Sequence, residues 1–358
     1  MLYYFLYPLH VEFIGFNVFK YITFRTFGCL VTSLVLYLLL GKIFVKFMRQ
    51  WQVIQRIRDD GPQSHLTKAG TPTMGGILIL GCVGLSTLLW MNLASSYTWL
   101  ALLLLVFLGV VGFFDDYRKL IYGSSKGLPG RYKLLCQTAI TLIIGYYLFS
   151  EIPFDTSLSI PFFKDFHPDL RWGYLIIMVF VIVGASNAVN LTDGLDGLAT
   201  GPLVMSFATY GVLSYIAGHS IIAAYLQVPY QPGAGELSVL CGSVVGACIG
   251  FLWFNTYPAD IFMGDVGSLS LGGILGLTAI LTKNEVLLAI VGGVFVLEAV
   301  SVITQVVSFQ LTGKRVFKMA PIHHHFELKG WKEPKVIVRF WIISFILSLV
   351  AMMTLKLR

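Results

Sequence analysis

The chain is short of charge. Of its 358 residues only 12% are Asp, Glu, Lys or Arg, while 56% are hydrophobic; an ordinary soluble domain carries about 25% charged residues. So few charges cannot coat a soluble body of this length, and the excess apolar side chains are expected to face lipid. The low hydrophobicity of a disordered chain is absent. Absent too is the alternation, in segments of about ten residues, that marks a membrane β-barrel. The five cysteines (Cys29, Cys82, Cys136, Cys241 and Cys248) lie in apolar stretches without paired spacing, so neither a disulfide framework nor a zinc knuckle is indicated. There is no Gly-x-x-x-x-Gly-Lys-Ser/Thr loop, and hence no sign of P-loop ATP chemistry. Linkers, low-complexity tracts and repeats are missing as well. The opening stretch, Met1 to Gly15, holds His10 and Glu12 but has no basic start and no small-residue cleavage site. An interfacial helix is expected there, not a signal peptide.

What the sequence does have is long apolar runs. A helix crossing a bilayer needs about 20 mostly apolar residues, and ten stretches qualify: 22–45, 74–92, 98–114, 133–150, 172–190, 199–217, 237–254, 262–281, 286–309 and 336–355. The fold expected is all-α, a polytopic membrane helical bundle of about ten spans forming a single domain over 1–358. Basic residues are lopsided between the loops. Lys46, Arg49, Arg56, Arg58 and Lys68 follow the first span, and Arg118, Lys119, Lys126, Arg131 and Lys133 follow the third. Lys314, Arg315, Lys318, Lys329, Lys332, Lys335 and Arg339 follow the ninth. The even-numbered loops hold only Lys164, Arg171 and Lys283. The positive-inside rule makes the odd loops cytoplasmic and puts both termini outside. It also accounts for the net charge of +7 without nucleic acid. The stretch from Glu151 to Trp172, with its aspartates and prolines, is expected to be an ordered external loop.

Acidic residues gather on the same side, although carboxylates contribute little to orientation. Charges at membrane depth are costly and usually functional. Asp115 and Asp116 sit side by side where the third span is expected to end, followed at once by Arg118 and Lys119. Solvated charges at a helix end are the plainer reading. A helix C-terminus disfavours acids, however, so a compensating cation is expected, from the nearby bases or from a metal. Hard divalent ions such as Mg²⁺ take oxygen ligands and share them with phosphates. Asn187, Asn190, Asp193 and Asp196 recur every third residue at another span end, where Gly194 and Gly197 suggest unwinding. Asparagines glue membrane helices together, but glue needs no two aspartates. Asp265 stands at the mouth of a glycine-rich span, where an N-cap is the competing role. His323, His324 and His325 follow Ala320-Pro321 in the longest basic loop. Neighbouring histidines point apart, so at most some of them can share one ion; phosphate binding or proton handling suits them better. Within the ninth span, Glu298 is expected to be buried with a hydrogen-bonding or protonated role, and Gln305 to lie near the cytoplasmic mouth.

Carboxylates for a divalent ion, with Lys and Arg to neutralise oxygens, are the recurring parts of phosphoryl transfer. Their place at the lipid boundary suggests a substrate with a phosphorylated head and a hydrocarbon tail. A transporter is the rival class, but its key charges belong near the midplane, between related halves. A lipid-phosphate phosphatase would use the same parts with water as acceptor, and a scaffold explains neither the aspartates nor the histidines.

The motifs Thr71-Pro-Thr-Met-Gly-Gly76, Gly112-Phe-Phe-Asp-Asp-Tyr117, Asn187-Ala-Val-Asn-Leu-Thr-Asp-Gly-Leu-Asp-Gly197, Phe262-Met-Gly-Asp-Val-Gly-Ser268 and Ala320-Pro-Ile-His-His-His325 stand in this order. From Phe16 to Arg358 the chain resembles the phospho-N-acetylmuramoyl-pentapeptide-transferases, also called translocase I. The triple histidine sets it apart from the related polyprenyl-phosphate N-acetylhexosamine-1-phosphate transferases, which are the alternative. The resemblance implies transfer of phospho-N-acetylmuramoyl-pentapeptide from UDP-N-acetylmuramoyl-pentapeptide to undecaprenyl phosphate, giving lipid I and UMP with Mg²⁺. It implies a homodimer in the bacterial inner membrane, with its site on the cytoplasmic face. Carried over, Asp265 binds the metal, Asp115 and Asp116 flank the polyprenyl phosphate, and His323 is the most function-critical histidine. His324 and His325 contact the nucleotide-sugar or shape its loop. Lys68, Asn255, Phe262 and Gln305 take the uridine side. Thr73, Lys119, Lys133, Asn187, Asn190, Asp193 and Asp196 line the cleft. Asp260, where relatives are expected to have Gln or a similar residue, is expected to face water.

Overall fold

The computed structural model describes residues 1–54, 70–122, 127–152, 154–160 and 166–355. Fourteen α-helices run through them: α1 (Leu2–Leu6), α2 (Ile22–Gln50), α3 (Gly76–Trp90), α4 (Ser96–Ile121), α5 (Gly130–Glu151), α6 (Tyr174–Thr192), α7 (Thr200–Ala217), α8 (Ser220–Leu226), α9 (Glu236–Asn255), α10 (Gly264–Leu281), α11 (Leu288–Val291), α12 (Gly293–Thr312), α13 (Ile322–Glu327) and α14 (Glu333–Met353). Among the described residues there is no strand, only two isolated bridges. The chain is an all-helical, multi-pass membrane bundle.

Each of the ten apolar stretches contains a helix, but they are not equivalent. Eight helices are long and apolar enough to cross a membrane alone, and a ninth span arises if α7 and α8, bent by 102°, count as one. The stretch 74–92 yields only the 15 residues of α3. At 1.5 Å per residue they reach about 22 Å, short of a hydrocarbon core of about 30 Å. The ninth stretch is broken at Gly292 into α11 and α12. The opening stretch is largely helical, α1 followed by two 3₁₀ helices, with extended Phe13 between them. Beyond α5, Thr156 Oγ1 donates to Asp169 Oδ1 at 2.5 Å and Ser157 Oγ to Asp155 Oδ2 at 2.7 Å, which orders the described part of that loop.

Glycines set how closely the central helices approach. In α9, Gly242, Gly246 and Gly250 recur every fourth residue against α2; a Cβ on Gly246 would stand 2.1 Å from the Leu30 carbonyl oxygen. This small-xxx-small face permits backbone contact where lipid supplies no hydrophobic drive. Gly272 and Gly276 do the same for α10 against α6. As a result α10 is wrapped by protein, with 89% of its residues buried, whereas only 22% of the most apolar 18-residue stretch of α12 is buried, and its outer side is a row of exposed aliphatics. Bidentate pairing of buried Arg25 with Glu236, at 2.6 and 2.8 Å, ties α2 to α9.

Candidate active site

Gly112 brings α4 and α10 together. A Cβ there would stand 2.4 Å from the Asp265 carbonyl oxygen, so the start of α10 presses directly on α4 just before Asp115 and Asp116. The aspartate pair does not end its helix, because α4 runs on to Ile121, and both carboxylates are buried. Asp265 lies in the first turn of α10 and makes no capping bond, which removes the N-cap reading. The positive end of the helix dipole favours a carboxylate at this position.

The cations come from the same helix and from the next. Lys119 Nζ is 2.6 Å from Asp115 Oδ2, 3.3 Å from Asp116 Oδ1 and 3.1 Å from Asp265 Oδ2. Lys133, in the first turn of α5, reaches Asp265 Oδ2 at 2.7 Å and Asp115 Oδ1 at 3.3 Å. Asn190 Nδ2 donates to Asp265 Oδ1 at 2.8 Å and to Ser268 Oγ at 2.9 Å. Leu128 N–H donates to Asp115 Oδ1 at 2.7 Å, and Val266 N–H to Asp116 Oδ2 at 3.3 Å. Oxygens of Asp115, Asp116 and Asp265 all lie within 4.8 Å of one another, the one such acidic group among the described residues. All-oxygen donors suit a hard divalent cation, and they already accept two ammonium groups, so this cluster fits a metal.

Around the cluster the backbone is cut close. Gly264 has φ +76°, and a Cβ on it would stand 2.6 Å from Asp116 Oδ2 and 3.1 Å from Thr73 Oγ1. On Gly127 a Cβ would meet the Asp115 carboxylate at 2.5 Å. The segment bearing buried Thr73 pairs with the approach to α10: Phe262 N–H donates to the Pro72 carbonyl, and Gly75 and Gly76 donate to those of Phe262 and Met263, at 2.8–2.9 Å. Asp193 caps the end of α6, where the helix unwinds. Burial first, then Asp265 and Asp116, push its carboxyl up to about 8 against the Gly264 N–H bond.

Other expected site residues hold loops. Asp196 is buried and accepts Ala259 N–H at 3.0 Å; Asn255 donates to the Ile261 carbonyl at 2.8 Å. Together they fix the turn that leads to half-buried Phe262. Gln305 accepts from Val316 and Phe317 N–H and donates to the Phe317 carbonyl, which clamps the basic loop after α12. Asn187 turns away from the cluster to Gln137 Oε1 and the Val183 carbonyl, both at 2.8 Å. Lys68 lies outside the described residues. Asp260 faces water, paired with exposed Arg49 at 2.8 Å.

The three histidines of α13 take different polar partners, although the rings of His323 and His324 lie 4.1 Å apart. His323 is fully buried, with Nδ1 3.1 Å from Glu298 Oε1. His324 Nδ1 meets Glu327 Oε2 at 2.8 Å. His325 Nδ1 accepts Lys318 N–H at 3.0 Å, and partial burial, then Lys329 and Lys318, lower its pKa. Sequence reasoning missed Ser268, Gly127 and Gln137. Ser268 stood inside a motif already singled out, whereas nothing in the sequence marks the other two.

A model described as glycosyl transferase family 4 matches residues 98–283, and the phospho-N-acetylmuramoyl-pentapeptide-transferase signature 1 matches residues 68–80. Among similar proteins, one from Syntrophus aciditrophicus is 58% identical over 359 residues, one from Desulfotalea psychrophila 56% over 359, and one from Citrifermentans bemidjiense 58% over 358. Each alignment covers all of both chains, and each relative bears the name phospho-N-acetylmuramoyl-pentapeptide-transferase. With identity of this order along its whole length, the chain belongs to the phospho-N-acetylmuramoyl-pentapeptide-transferase family.

Proposed function

We propose that the chain transfers phospho-N-acetylmuramoyl-pentapeptide from UDP-N-acetylmuramoyl-pentapeptide to undecaprenyl phosphate, releasing UMP and forming lipid I. The observation that carries this is the meeting of Asp115, Asp116 and Asp265 with Lys119 and Lys133 at one end of a membrane bundle. Asp265 would hold Mg²⁺, with Asp115 and Asp116 in reach; the bound ion supplies positive charge to the phosphate oxygens. Lys119 and Lys133 neutralise and orient the two phosphorylated reactants.

In the reaction, an oxygen of the polyprenyl phosphate forms a bond to the β-phosphorus of the donor. The bond from that phosphorus to the bridging oxygen breaks, and UMP leaves with its electron pair. A phosphate monoester, with a second pKa near 6, is already largely ionised at neutral pH, so Asp115 or Asp116 need only assist. Both oxygens of Asp115 are engaged by Lys119, Lys133 and Leu128 N–H, which argues against its forming a covalent intermediate. By the family resemblance, Lys68, Asn255, Phe262 and Gln305 serve the uridine side, Asn255 and Gln305 through the loops they hold, and His324 and His325 contact the nucleotide-sugar or shape its loop.

Basic residues at the ends of the odd-numbered loops support a cytoplasmic face for the site, in a bacterial inner membrane. The homodimer rests on the family resemblance, and light scattering of the detergent-solubilised chain tests it. The central test is UMP release with and without undecaprenyl phosphate, in Mg²⁺ or EDTA. Release is expected only with both lipid and Mg²⁺. Release without lipid would overturn direct attack in favour of hydrolysis or a covalent intermediate.

A further inference from the structure

Glu298 has no contact with the aspartate cluster, yet its side chain lies wholly buried in α12. A carboxylate inside a membrane span is costly unless a specific partner offsets its desolvation. The partner is His323 of α13, equally buried, whose Nδ1 is 3.1 Å from Glu298 Oε1. The contact is one of distance and not a formed hydrogen bond: among the described residues, neither carboxylate oxygen and neither ring nitrogen has a hydrogen-bond partner, so the two buried groups face only each other. The pair joins the second turn of α12 to the histidine-bearing helix α13.

The second ring nitrogen points onward. A Cβ on Gly194 would stand 2.5 Å from His323 Nε2 and 2.9 Å from its Cε1, so the ring packs against the turn that follows α6. Gly194 follows Asp193, whose carboxyl accepts the Gly264 N–H, and Gly264 precedes Asp265. Contacts therefore run unbroken from Glu298 through His323 and the Asp193–Gly194 turn to the residue that starts α10.

We propose that Glu298 is a positioning residue for the transfer reaction, its buried carboxyl set against Nδ1 of His323 so that the imidazole seats the Asp193–Gly194 turn against the start of α10. A carboxylate behind an imidazole fixes both the tautomer and the lie of the ring. Glu298 and His323 then act from behind the site, neither touching substrate. The proposal rests on the function given above.

The test uses the full chain in detergent, UMP release from UDP-N-acetylmuramoyl-pentapeptide with undecaprenyl phosphate and Mg²⁺, and heat unfolding of the same preparations. Glu298→Gln keeps an acceptor atom and loses the charge; Gly194→Ala sets a methyl group against Nε2. Supporting groups behind reactive ones typically matter 10- to 100-fold. The expected result is kcat lower by about tenfold in Glu298→Gln and by about a hundredfold in Gly194→Ala. KM for the nucleotide-sugar stays within about twofold in both, and the unfolding midpoint of Glu298→Gln matches wild type. Wild-type kcat in Glu298→Gln overturns the proposal, as does a loss that merely follows loss of folded protein. An inactive wild type overturns the function reading itself, whereas an active wild type beside an active Glu298→Gln counts against this pairing alone.

Discussion

Replacing Gly264 with alanine tests how tightly the cluster is held. At φ +76° an alanine is strained by about 1–2 kcal/mol. Its methyl group would also stand 2.6 Å from Asp116 Oδ2, 3.1 Å from Thr73 Oγ1 and 3.2 Å from the Met74 backbone nitrogen. Backbone at Met74 cannot give readily, so the Asp116 carboxylate moves and loses its Val266 N–H bond, or Asp265 shifts with the start of α10. Strain alone, if relieved by displacing Asp265, corresponds to a loss of about 5- to 30-fold in kcat/KM. A displacement near 1 Å raises that to about a hundredfold. UMP release measured beside heat unfolding separates the two contributions. A Gly264→Ala enzyme within about threefold of wild type in kcat/KM, as folded as wild type, would refute the argument that this close approach sets the geometry.

Three other outcomes follow from the same geometry. Asp265→Asn removes the carboxylate shared by Lys119, Lys133 and Asn190; UMP release should fall by about a hundredfold or more, and Mn²⁺ binding followed by electron paramagnetic resonance should weaken in step. Asn187→Leu breaks a helix contact outside the cluster, so the free energy of unfolding should fall by about 0.6 kcal/mol while kcat and KM stay near wild type. Asp193, ordinarily near 3.8 and here pushed up to about 8, keeps in the folded chain a proton that the unfolded chain has lost between those values. Stability should therefore fall as pH rises through that window and level off above it; in Asp193→Asn, heat unfolding at a series of pH values should lose this component.

Why some of this could be read in advance and some could not is physical. Asp115, Asp116, Asp265 and the lysines stood out because charge is scarce in an apolar chain, and so was the bundle they belong to. Helix ends were harder: Phe113 to Ile121 mixes apolar and charged residues, and only packing shows that α4 continues through the aspartates. Asn187 and Asn190 are alike in type and spacing, yet Asn190 meets Asp265 while Asn187 meets Gln137. Three residues on a helix leave side chains about 60° apart, enough to send them to different neighbours. Adjacent histidines differ by about 100°, so the sequence cannot say which enters the core. Nor does it connect Glu298 with His323, because the contact spans a loop and two helices. The bend after α7 and the shortness of α3 depend on neighbours in the same way.

The enclosure of α10 bears on how the protein is made. Its sequence, Gly264-Asp-Val-Gly-Ser-Leu-Ser-Leu-Gly-Gly-Ile-Leu-Gly-Leu-Thr-Ala-Ile-Leu281, carries glycines and hydroxyls where lipid-facing spans carry large aliphatics, and it is less hydrophobic than α2, α4, α6, α9 or α14. Insertion machinery reads each segment by its own hydrophobicity, residue by residue. The helix that presents Asp265 is therefore among the spans least able to enter the bilayer alone. It is held there by α4 and α6, synthesised before it, whose close faces its glycines fit. The end of the bundle that carries the aspartate cluster is therefore complete only once α10 has packed against α4 and α6.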